Sequence, residues 1–486
     1  LVFDVFGDKR QTVFPYGRDK ITGGPEIMRY CVSQTTVSEN RKSELTAYFD
    51  KLSFLSERLY NAALFRLRQQ FTMKGKSSLS ANEREVHDEI EKTISVYGCG
   101  RPGRVLSYTF LEKLMRATGN PDFFSGLPMQ SAQQTLKLAC RAMKGWLEAL
   151  RSYRADPSQF TGKPGMPGYR KNGHMLIMFT NQDCVIRDGM LKLPLTKERI
   201  RVHIPDGARL REVQCRPYYG NYRVICIFQA ASEVVQSTGD RTAAIDFGVS
   251  NIASIVVNDE NISPITYKGG ALKSANRWYN MQRARYVSKI RKSHCPATGQ
   301  ADTAMLRRLG RYRSDFLSDQ MHKISSDIVR HLIIAGVSTL VLGRNKGQKQ
   351  NSAMGKKNNQ SFVSLPLWTL QIQIRYKAEN AGMVVMDQEE SYTSKASFID
   401  RDEIPVYGKE RTVPSFSGMR KGRGLYVASD GSVLNADVNA AANILRKAFP
   451  EAVSHIRDHG FLQKIRVVRF YDLNQKRNPV KRIAAA

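Results

Sequence analysis

Cysteines are few in this 486-residue chain, and their positions exclude two kinds of framework. The seven cysteines are scattered, no two of them form a C-x-x-C pair, and none follows residue 295. A tetrahedral zinc site needs closely spaced soft ligands, so we expect no zinc. An odd, scattered set also argues against a disulfide framework and favours a reducing cytoplasm.

Long apolar runs and acidic residues are scarce as well. No stretch is long enough to span a bilayer, and we find no secretory signal, amphipathic anchor or lipidation motif. Lysine and arginine total 75 against 44 acidic residues, a formal net charge of +31. An excess of positive charge of this size along the chain indicates a nucleic-acid partner. We favour this interpretation over binding to a membrane surface.

A carboxylate lies inside an apolar strand pattern in the middle of the chain. Residues 242–249 predict a strand and residues 250–257 its hairpin partner, with Gly248 supplying turn flexibility. Burying Asp246 unpaired in such a strand is unfavourable. It needs a partner, and a divalent cation is a suitable one.

Further carboxylates occur downstream at predicted element ends. The apolar run 383–386 predicts a short buried strand, which leads into Glu389 and Glu390. Asp437 begins an Ala-rich helical segment capped by small polar residues. Three carboxylates without a Cys or His cluster suit Mg²⁺ or Mn²⁺, and two such ions about 3.5–4 Å apart would stabilise both oxygens of a phosphoryl displacement.

Each carboxylate alone has an ordinary alternative. Asp246 could be a turn residue, the two glutamates could be solvated, and Asp437 could be a helix cap. A short motif in isolation often matches by chance. The three sites taken together, in this order along the chain, favour a metal-dependent phosphoryl-transfer site.

Three segments resemble the RuvC-type nuclease motifs of TnpB. They are Ala-Ile-Asp-Phe-Gly at 244–248, Glu-Glu-Ser-Tyr-Thr-Ser-Lys at 389–395 and Asn-Ala-Asp-Val-Asn-Ala-Ala-Ala-Asn-Ile at 435–444. TnpB proteins are transposon-encoded, RNA-guided nucleases, ancestral to the compact type V CRISPR effectors. The resemblance extends over roughly residues 50 to 450 and is strongest after residue 240. It implies two Mg²⁺ or Mn²⁺ ions on Asp246, Glu390 and Asp437, a guide RNA (omega RNA or CRISPR RNA) and a double-stranded DNA target.

Two departures from the family pattern affect the predicted site. In many members the middle glutamate closes the strand that here covers 340–342, a place occupied by Gly343. The chain instead resembles the branch whose glutamate lies in the Glu-Glu-Ser-Tyr-Thr-Ser motif, so we assign this role to Glu390, with Glu389 in reserve. The usual four-cysteine zinc ribbon is also missing, and we expect the loop 396–430 to fold without metal.

Clustered cations predict the nucleic-acid surface. Most of them lie between the first and second nuclease strands, on predicted helices beside Asp246. A solvated helix pair is the ordinary explanation, but the density favours a phosphate-lined channel for a guide–target duplex. His322, on a following helix, is a secondary candidate. The predicted contacts are Lys171, Lys273, Arg277, Arg283, Arg285, Lys289, Arg291, Arg307, Arg308, Arg311 and Arg423.

The predicted fold is an α/β multidomain chain with two lobes. The C-terminal lobe is an RNase H-like (RuvC) nuclease domain, supported by alternating strands and helices after residue 240. The N-terminal lobe combines a wedge β-barrel with an inserted helical recognition region, as the resemblance implies and as short, closely spaced strands suggest. The predicted boundaries are 1–42 for the N-terminal segment and start of the wedge, 43–155 for the recognition helices, 156–238 for the rest of the wedge, 239–394 and 431–455 for the nuclease domain, 395–430 for the reduced loop and 456–486 for the tail.

The predicted function is an RNA-guided DNA endonuclease of the prokaryotic cytoplasm, associated with the nucleoid. Base pairing with the guide would select the target, and the N-terminal lobe would read a short flanking motif. Two alternatives stay open: a guided DNA-binding protein that does not cut, and a guide-independent nuclease or transposase. The chain could act as a monomer or a dimer.

Overall fold

The computed structural model describes residues 12–14, 27–37, 44–171, 173–232, 239–292, 303–344, 365–406, 415–422, 424–454, 456 and 460–474. The chain divides into two compact units, one containing mainly residues 30–231 and the other mainly residues 232–486. This division lies close to the predicted boundary at 238/239, and the finer boundaries stay predictions. Within the described residues, no helix combines the length and the apolarity needed to cross a membrane.

Four long helices belong to the first unit. They are α1 (Glu44–Met73), α2 (Ala81–Tyr97), α3 (Tyr108–Ala117) and α4 (Met129–Ala155). All four lie within residues 43–155, the region predicted to be helical, and Pro128 is the N-cap of α4.

The sequence interpretation missed α2, although its start signal is present. Ser80 and Glu83 form a capping box, in which the Ser80 side chain accepts from the Glu83 backbone N–H and Glu83 accepts from the Ser80 backbone N–H. Gly98 ends the helix in the left-handed conformation. A Ser-x-x-Glu box and a C-terminal glycine are recognisable in a sequence.

The described strands up to residue 232 lie in two sheets. They are β1 (Thr12–Phe14), β2 (Ile27–Val37), β3 (Ile177–Thr180), β4 (Val185–Arg187), β5 (Met190–Lys192), β6 (Arg199–Arg201), β7 (Arg209–Tyr218) and β8 (Asn221–Ser232). One sheet contains β2, β8, β7 and β3 as successive neighbours, and the other has the order β4-β5-β6. The described strands thus pair in two sheets, and the predicted closed barrel stays a prediction.

The second unit alternates strands and helices, as predicted. Its elements are β9 (Arg241–Asp246), β10 (Asn251–Val257), β11 (Ile265–Lys268), α5 (Gly270–Lys292), α6 (Ala304–Ile334), β12 (Val337–Arg344), α7 (Leu367–Asn380), β13 (Val384–Glu389), β14 (Met419–Lys421), β15 (Leu425–Val427), β16 (Val433–Asn435), α8 (Ala436–Ala448), β17 (Arg466–Val468) and α9 (Phe470–Asn474). The main sheet has the order β13-β12-β9-β10-β11-β17, and β14-β15-β16 form a small second sheet. The predicted hairpin is confirmed, because β9 and β10 pair antiparallel.

The main sheet has an apolar core on each face. Ile245 and Leu342 belong to the core that includes residues of α6 and α7, whereas Ala244 and Val341 belong to the core that includes α8. Side chains two residues apart in a strand point to the same face. Asp246, two residues after Ala244, therefore lies on the α8 face.

The strand predicted at 383–386 exists, but its predicted burial is wrong. It runs through Glu389 as β13 and is the edge strand of the sheet. Val384 is 64% exposed and Met386 39% exposed. A short apolar run does not distinguish a central strand from an edge strand, because that depends on which strands become neighbours.

Candidate active site

Asp246 ends β9 on the face of the sheet that packs against α8. Burial, followed by the negative charge of Asp437, raises the pKa of its carboxyl to about 7. Arg420 and the backbone N–H of Phe247 lower this pKa, but their effect is smaller than that of burial and Asp437. Asp246 is thus a carboxylate whose ionised form is poorly stabilised by the protein alone.

Asp437 lies in the first turn of α8, with Asn435 as N-cap. Asn251 Nδ2 donates to Asp437 Oδ2 over 2.7 Å, and Asn251 Oδ1 in turn accepts from Lys268 Nζ at 2.9 Å. Arg420 Nη2 lies 3.3 Å from the other carboxylate oxygen. Groups from β10 and β14 therefore hold the Asp437 carboxylate in place.

Glu390 follows β13 and reaches the end of β12. An ideal Cβ placed on Gly343 would lie 2.2 Å from Glu390 Oε1 and 2.9 Å from Glu390 Cδ. The Glu390 carboxylate therefore occupies space that only a glycine at position 343 leaves open. Burial, followed by the negative charges of Asp246 and Glu389, raises the pKa of Glu390 to about 8.

Glu389 has a different environment from its neighbour. Its Oε2 lies 2.7 Å from Lys447 Nζ, and its Oε1 accepts from the Ser391 backbone N–H at 2.7 Å. Burial raises the pKa of Glu389, but the hydrogen bonds from Lys447 and Ser391 outweigh it and leave this pKa below its usual range. Glu389 is thus neutralised by a lysine, whereas Glu390 interacts with Asp246.

Two asparagines of α8 anchor the loop that follows Glu390. Asn443 Nδ2 donates to the Thr393 carbonyl at 3.0 Å and to the Ala396 carbonyl at 2.7 Å. Asn439 Nδ2 also donates to the Ala396 carbonyl, at 2.8 Å. Both asparagines are fully buried. Sequence reasoning included them in a motif without a role, although their four-residue spacing places them on one face of a helix.

The three predicted carboxylates are electrostatic neighbours rather than a closed ligand shell. Asp246 interacts with both Glu390 and Asp437. In the part of the chain that the structure describes, no group of three or more Asp, Glu, His or Cys side chains converges as a metal site. The donor chemistry nevertheless fits a hard divalent cation, because mutually repelling, partly buried carboxylates need positive charge and offer oxygen ligands only.

The predicted nucleic-acid contacts lie mainly on two helices. Arg277, Arg283, Arg285, Lys289 and Arg291 are exposed on α5. Lys273, at the start of this helix, donates to Ser250 Oγ at 3.2 Å, next to the turn after Asp246.

The remaining candidates are dispersed. Arg308 is exposed on α6, Arg307 and Arg311 are half-buried there, and Lys171 is exposed in the first unit. Arg423 lies outside the described residues. His322 is buried on α6, the helix that packs on the sheet face opposite to α8.

The loop predicted to lack zinc is tied together by carboxylates in its described part. Asp402 accepts from the backbone N–H groups of Ser397 at 2.7 Å and Ser417 at 3.2 Å. Asp400 accepts from the backbone N–H of Ser429 at 3.0 Å. The bonds from Ser417 and Ser429 connect parts of the loop that are 15 and 29 residues apart in sequence.

Known proteins resemble this chain over most of its length. The family model described as "Probable transposase" matches residues 227–349, and the one described as "Cas12f1-like, TNB domain" matches residues 369–444. The TnpB-like protein ORF457 of Acidianus two-tailed virus is 22% identical over 437 residues, which cover 84% of this chain and 84% of the viral protein. The chain is thus similar to TnpB-like proteins over most of its length. The family resemblance found in the motifs is thereby confirmed.

Two solved structures also align with most of this chain. A Cas12f1–sgRNA–target DNA complex aligns with a TM-score of 0.47 and 13% identity, covering 83% of this chain and 82% of that protein. The mini-RNA-guided endonuclease CRISPR-Cas_phi3 aligns with a TM-score of 0.39 and 10% identity, covering 87% of this chain and 92% of that protein.

Proposed function

We propose that this protein is an RNA-guided, metal-dependent DNA endonuclease with Asp246, Glu390 and Asp437 as its catalytic carboxylates. The observation that carries the proposal is the electrostatic interaction of Asp246 with both Glu390 and Asp437, carboxylates from separate elements, which helps to raise the pKa values of Asp246 and Glu390. If these carboxylates served only the stability of the fold, we would expect positive groups of the protein to balance their negative charge. Divalent cations supply the missing compensation.

The protein's own residues prepare this site. Asp246, Glu390 and Asp437 would hold two Mg²⁺ or Mn²⁺ ions, which when bound stabilise charge on the attacking and leaving oxygens of a DNA phosphodiester. Asn251 orients Asp437 through the 2.7 Å hydrogen bond. Arg420, beside the same carboxylate, offers a guanidinium that can pair with a phosphate oxygen.

The choice of Glu390 over Glu389 follows from their environments. Lys447 already neutralises Glu389 and also donates to the Ser391 carbonyl at 3.0 Å. This lysine therefore holds the residues on both sides of Glu390. Glu390 is left to point over Gly343 toward Asp246.

Guide RNA and target DNA are the partners that we propose. The RNA-guided part of the proposed function is supported by the similarity to a TnpB-like protein. The cations of α5 and α6 would contact phosphates, base pairing with the guide would select the sequence, and the N-terminal unit would read a short flanking motif. A single carboxylate site holds one strand at a time, so cleavage of the two strands would be sequential.

Plasmid cleavage in Mg²⁺ by protein purified with its own RNA tests this function. We expect wild type to cut, Asp246→Asn and Glu390→Gln to lose about 10³-fold or more of the rate, and Glu389→Gln to keep most of it. Target binding by Asp246→Asn, measured in Ca²⁺, controls for folding. If only Glu389→Gln abolished cleavage, the catalytic glutamate would be Glu389 rather than Glu390.

The alternatives give different results in the same assay. A guided protein that does not cut would retain RNA and bind its target while every divalent metal left the plasmid intact. A guide-independent nuclease or transposase would act equally well after its RNA had been digested and removed. Either outcome would replace the proposed function.

A further inference from the structure

A row of aromatic side chains runs across α5, α6 and α9. Trp278 and Tyr312 meet edge-to-face with ring centroids 5.6 Å apart, and Tyr312 lies nearly parallel to Phe316 at 6.5 Å. Phe316 contacts Phe470 at 5.8 Å. We call Trp278, Tyr312, Phe316 and Phe470 the aromatic row. None of the predicted carboxylates belongs to it.

Much of this row is exposed to solvent. Trp278 is 41% exposed and Tyr312 is 57% exposed, and Tyr471, next to Phe470, is 70% exposed. Met281, one helical turn after Trp278, is 54% exposed. A contiguous exposed surface of large apolar side chains indicates a binding site rather than an ordinary solvated helix face.

Charge around the row indicates the class of partner. Helix α5 carries seven Lys or Arg residues and no Asp or Glu. Exposed Arg277 precedes Trp278, and exposed Arg308 lies one helical turn before Tyr312. A second copy of this chain, with its net charge of +31, would be repelled from such a surface. A nucleic acid offers phosphates to the cations and base faces to the aromatic rings.

We propose that the aromatic row stacks on unpaired bases of a bound nucleic-acid strand while the flanking cations hold its phosphates. This inference rests on the nucleic-acid binding of the proposed function and adds that the ligand here is single-stranded. Bases within a duplex already stack on each other, so their faces are not available to side chains. Unpaired bases of the RNA and bases of an opened DNA strand share this chemistry.

Tryptophan signals report stacking directly. The chain has three tryptophans, Trp146, Trp278 and Trp368, so 5-fluorotryptophan labelling gives three ¹⁹F resonances that Trp→Phe variants assign. RNA-free protein in EDTA is titrated with oligo(rU), oligo(dT) and a blunt DNA duplex. We expect the Trp278 resonance to shift with single strands and not with the duplex, and the stronger of the two single-strand responses identifies RNA or DNA as the source.

Binding measurements give the energetic test. Trp278→Ala and Tyr312→Ala should weaken single-strand binding by about 5- to 100-fold, and Trp278→Phe should retain most of it, because a phenyl ring still stacks. The salt dependence should keep its slope, because no phosphate contact is removed. Trp368→Ala is the matched control, since Trp368 is also exposed but lies outside the row, with Arg344 over its ring.

The failure of this inference is distinguishable from failure of the proposed function. Unchanged single-strand affinity in Trp278→Ala and Tyr312→Ala, with guided cleavage intact in wild type, would overturn the stacking inference alone. A Trp278 resonance that responds to protein dilution and not to nucleic acid would assign the row to self-association. Wild-type protein that binds no nucleic acid would overturn both proposals. Thermal unfolding verifies that each variant is folded.

Discussion

Glu390 and Gly343 share one volume: the Glu390 carboxylate lies where a side chain at position 343 would begin, 2.2 Å from an ideal Cβ. The two residues meet because β12 and β13 are parallel neighbours, with Gly343 opposite Gln388. In the family pattern that the motifs resemble, the strand equivalent to β12 supplies the glutamate itself. Here β12 supplies the space, and the chain after β13 supplies the carboxylate.

Gly343→Ala should impair cleavage because its methyl group displaces the Glu390 carboxylate. A Cβ there would also lie 2.8 Å from Ile444 Cδ1, so the side chains of both Glu390 and Ile444 would have to move. We expect a rate loss of about 10- to 100-fold in plasmid cleavage, since small misplacements of reacting groups are costly. Gly270→Ala is the control, because a Cβ at Gly270 meets no atom within 4 Å.

The same volume argument predicts a partial rescue. Gly343→Glu alone should be inactive, because two glutamates compete for one space. Combining it with Glu390→Gly returns the carboxylate to the end of β12 and removes the clash. The double variant should therefore cut faster than either single variant. If it is no faster, the two positions do not substitute for one another.

Lys447→Met should loosen the segment that carries Glu390. Lys447 is 7% exposed and lies within 2.7–3.0 Å of Glu389 Oε2, the Ser391 carbonyl and the Pro405 carbonyl. Its loss leaves the Glu389 carboxylate without its cation, and we expect about 1–3 kcal/mol of destabilisation in urea unfolding, because Glu389 is only half-buried.

The catalytic effect of Lys447→Met should depend on metal concentration. Cleavage should fall at low Mg²⁺ and recover in part at high Mg²⁺, because the variant lowers metal affinity rather than removing a ligand. Adding Glu389→Met should restore part of the lost stability, since no unpaired charge remains. Equal loss of rate at every Mg²⁺ concentration would contradict the positioning role.

Metal binding and stability should depend on pH in opposite directions. The pKa values of Asp246 and Glu390 are about 7 and about 8, against roughly 4 for free carboxyl groups. Between these values the folded state binds more protons than the unfolded state, so the metal-free protein loses stability as pH rises from about 4 to about 8. Divalent ions compete with those protons, and their affinity should rise over the same window.

Thermal unfolding from pH 5.5 to 9, in EDTA and in Mg²⁺, measures this linkage. We expect the stabilisation by Mg²⁺ to be small at the acidic end and to increase toward pH 8. Asp246→Asn should reduce the slope in EDTA. A stabilisation by Mg²⁺ that did not vary with pH would show that these carboxyls are not the ligands.

Arg420→Gln should shift this pH dependence to higher pH. The Arg420 guanidinium opposes the rise in the pKa of Asp246 and pairs with Asp437. Without this charge the Asp246 carboxyl is harder to ionise, and Mg²⁺ must displace its proton at a higher pH. Arg375→Gln, which removes one of the two arginines paired with Asp387 on β13, serves as the control and should leave the midpoint unchanged.

The cations of α5 should control the salt dependence of nucleic-acid binding. Arg283, Arg285 and Lys289 are exposed on this helix. Replacing all three with Gln should lower the slope of log affinity against log salt by about one per lost phosphate contact. The single variant Arg101→Gln is a control, because Arg101 is exposed in the first unit and pairs with Glu91. An unchanged slope would show that these three residues do not contact phosphates.

Much of this architecture is local in origin and readable from the chain. The excess of cations, the apolar period of α1, the hairpin of β9 and β10, and the order of the three motifs all depend on residues that are close in sequence. Helix α2 was readable in the same way, through Ser80 and Glu83. These features follow from periodicity and capping, which need no knowledge of the rest of the fold.

Contacts between residues distant in sequence could be identified only in the folded structure. The exposure of β13, the pairing of Glu389 with Lys447, and the approach of Asn251 and Arg420 to Asp437 join residues from different elements. Two adjacent glutamates look alike in a sequence, since both are one or two residues from a strand end. Their opposite environments arise because β13 pairs with β12 and α8 packs across both, a relationship that depends on strand order rather than on local pattern.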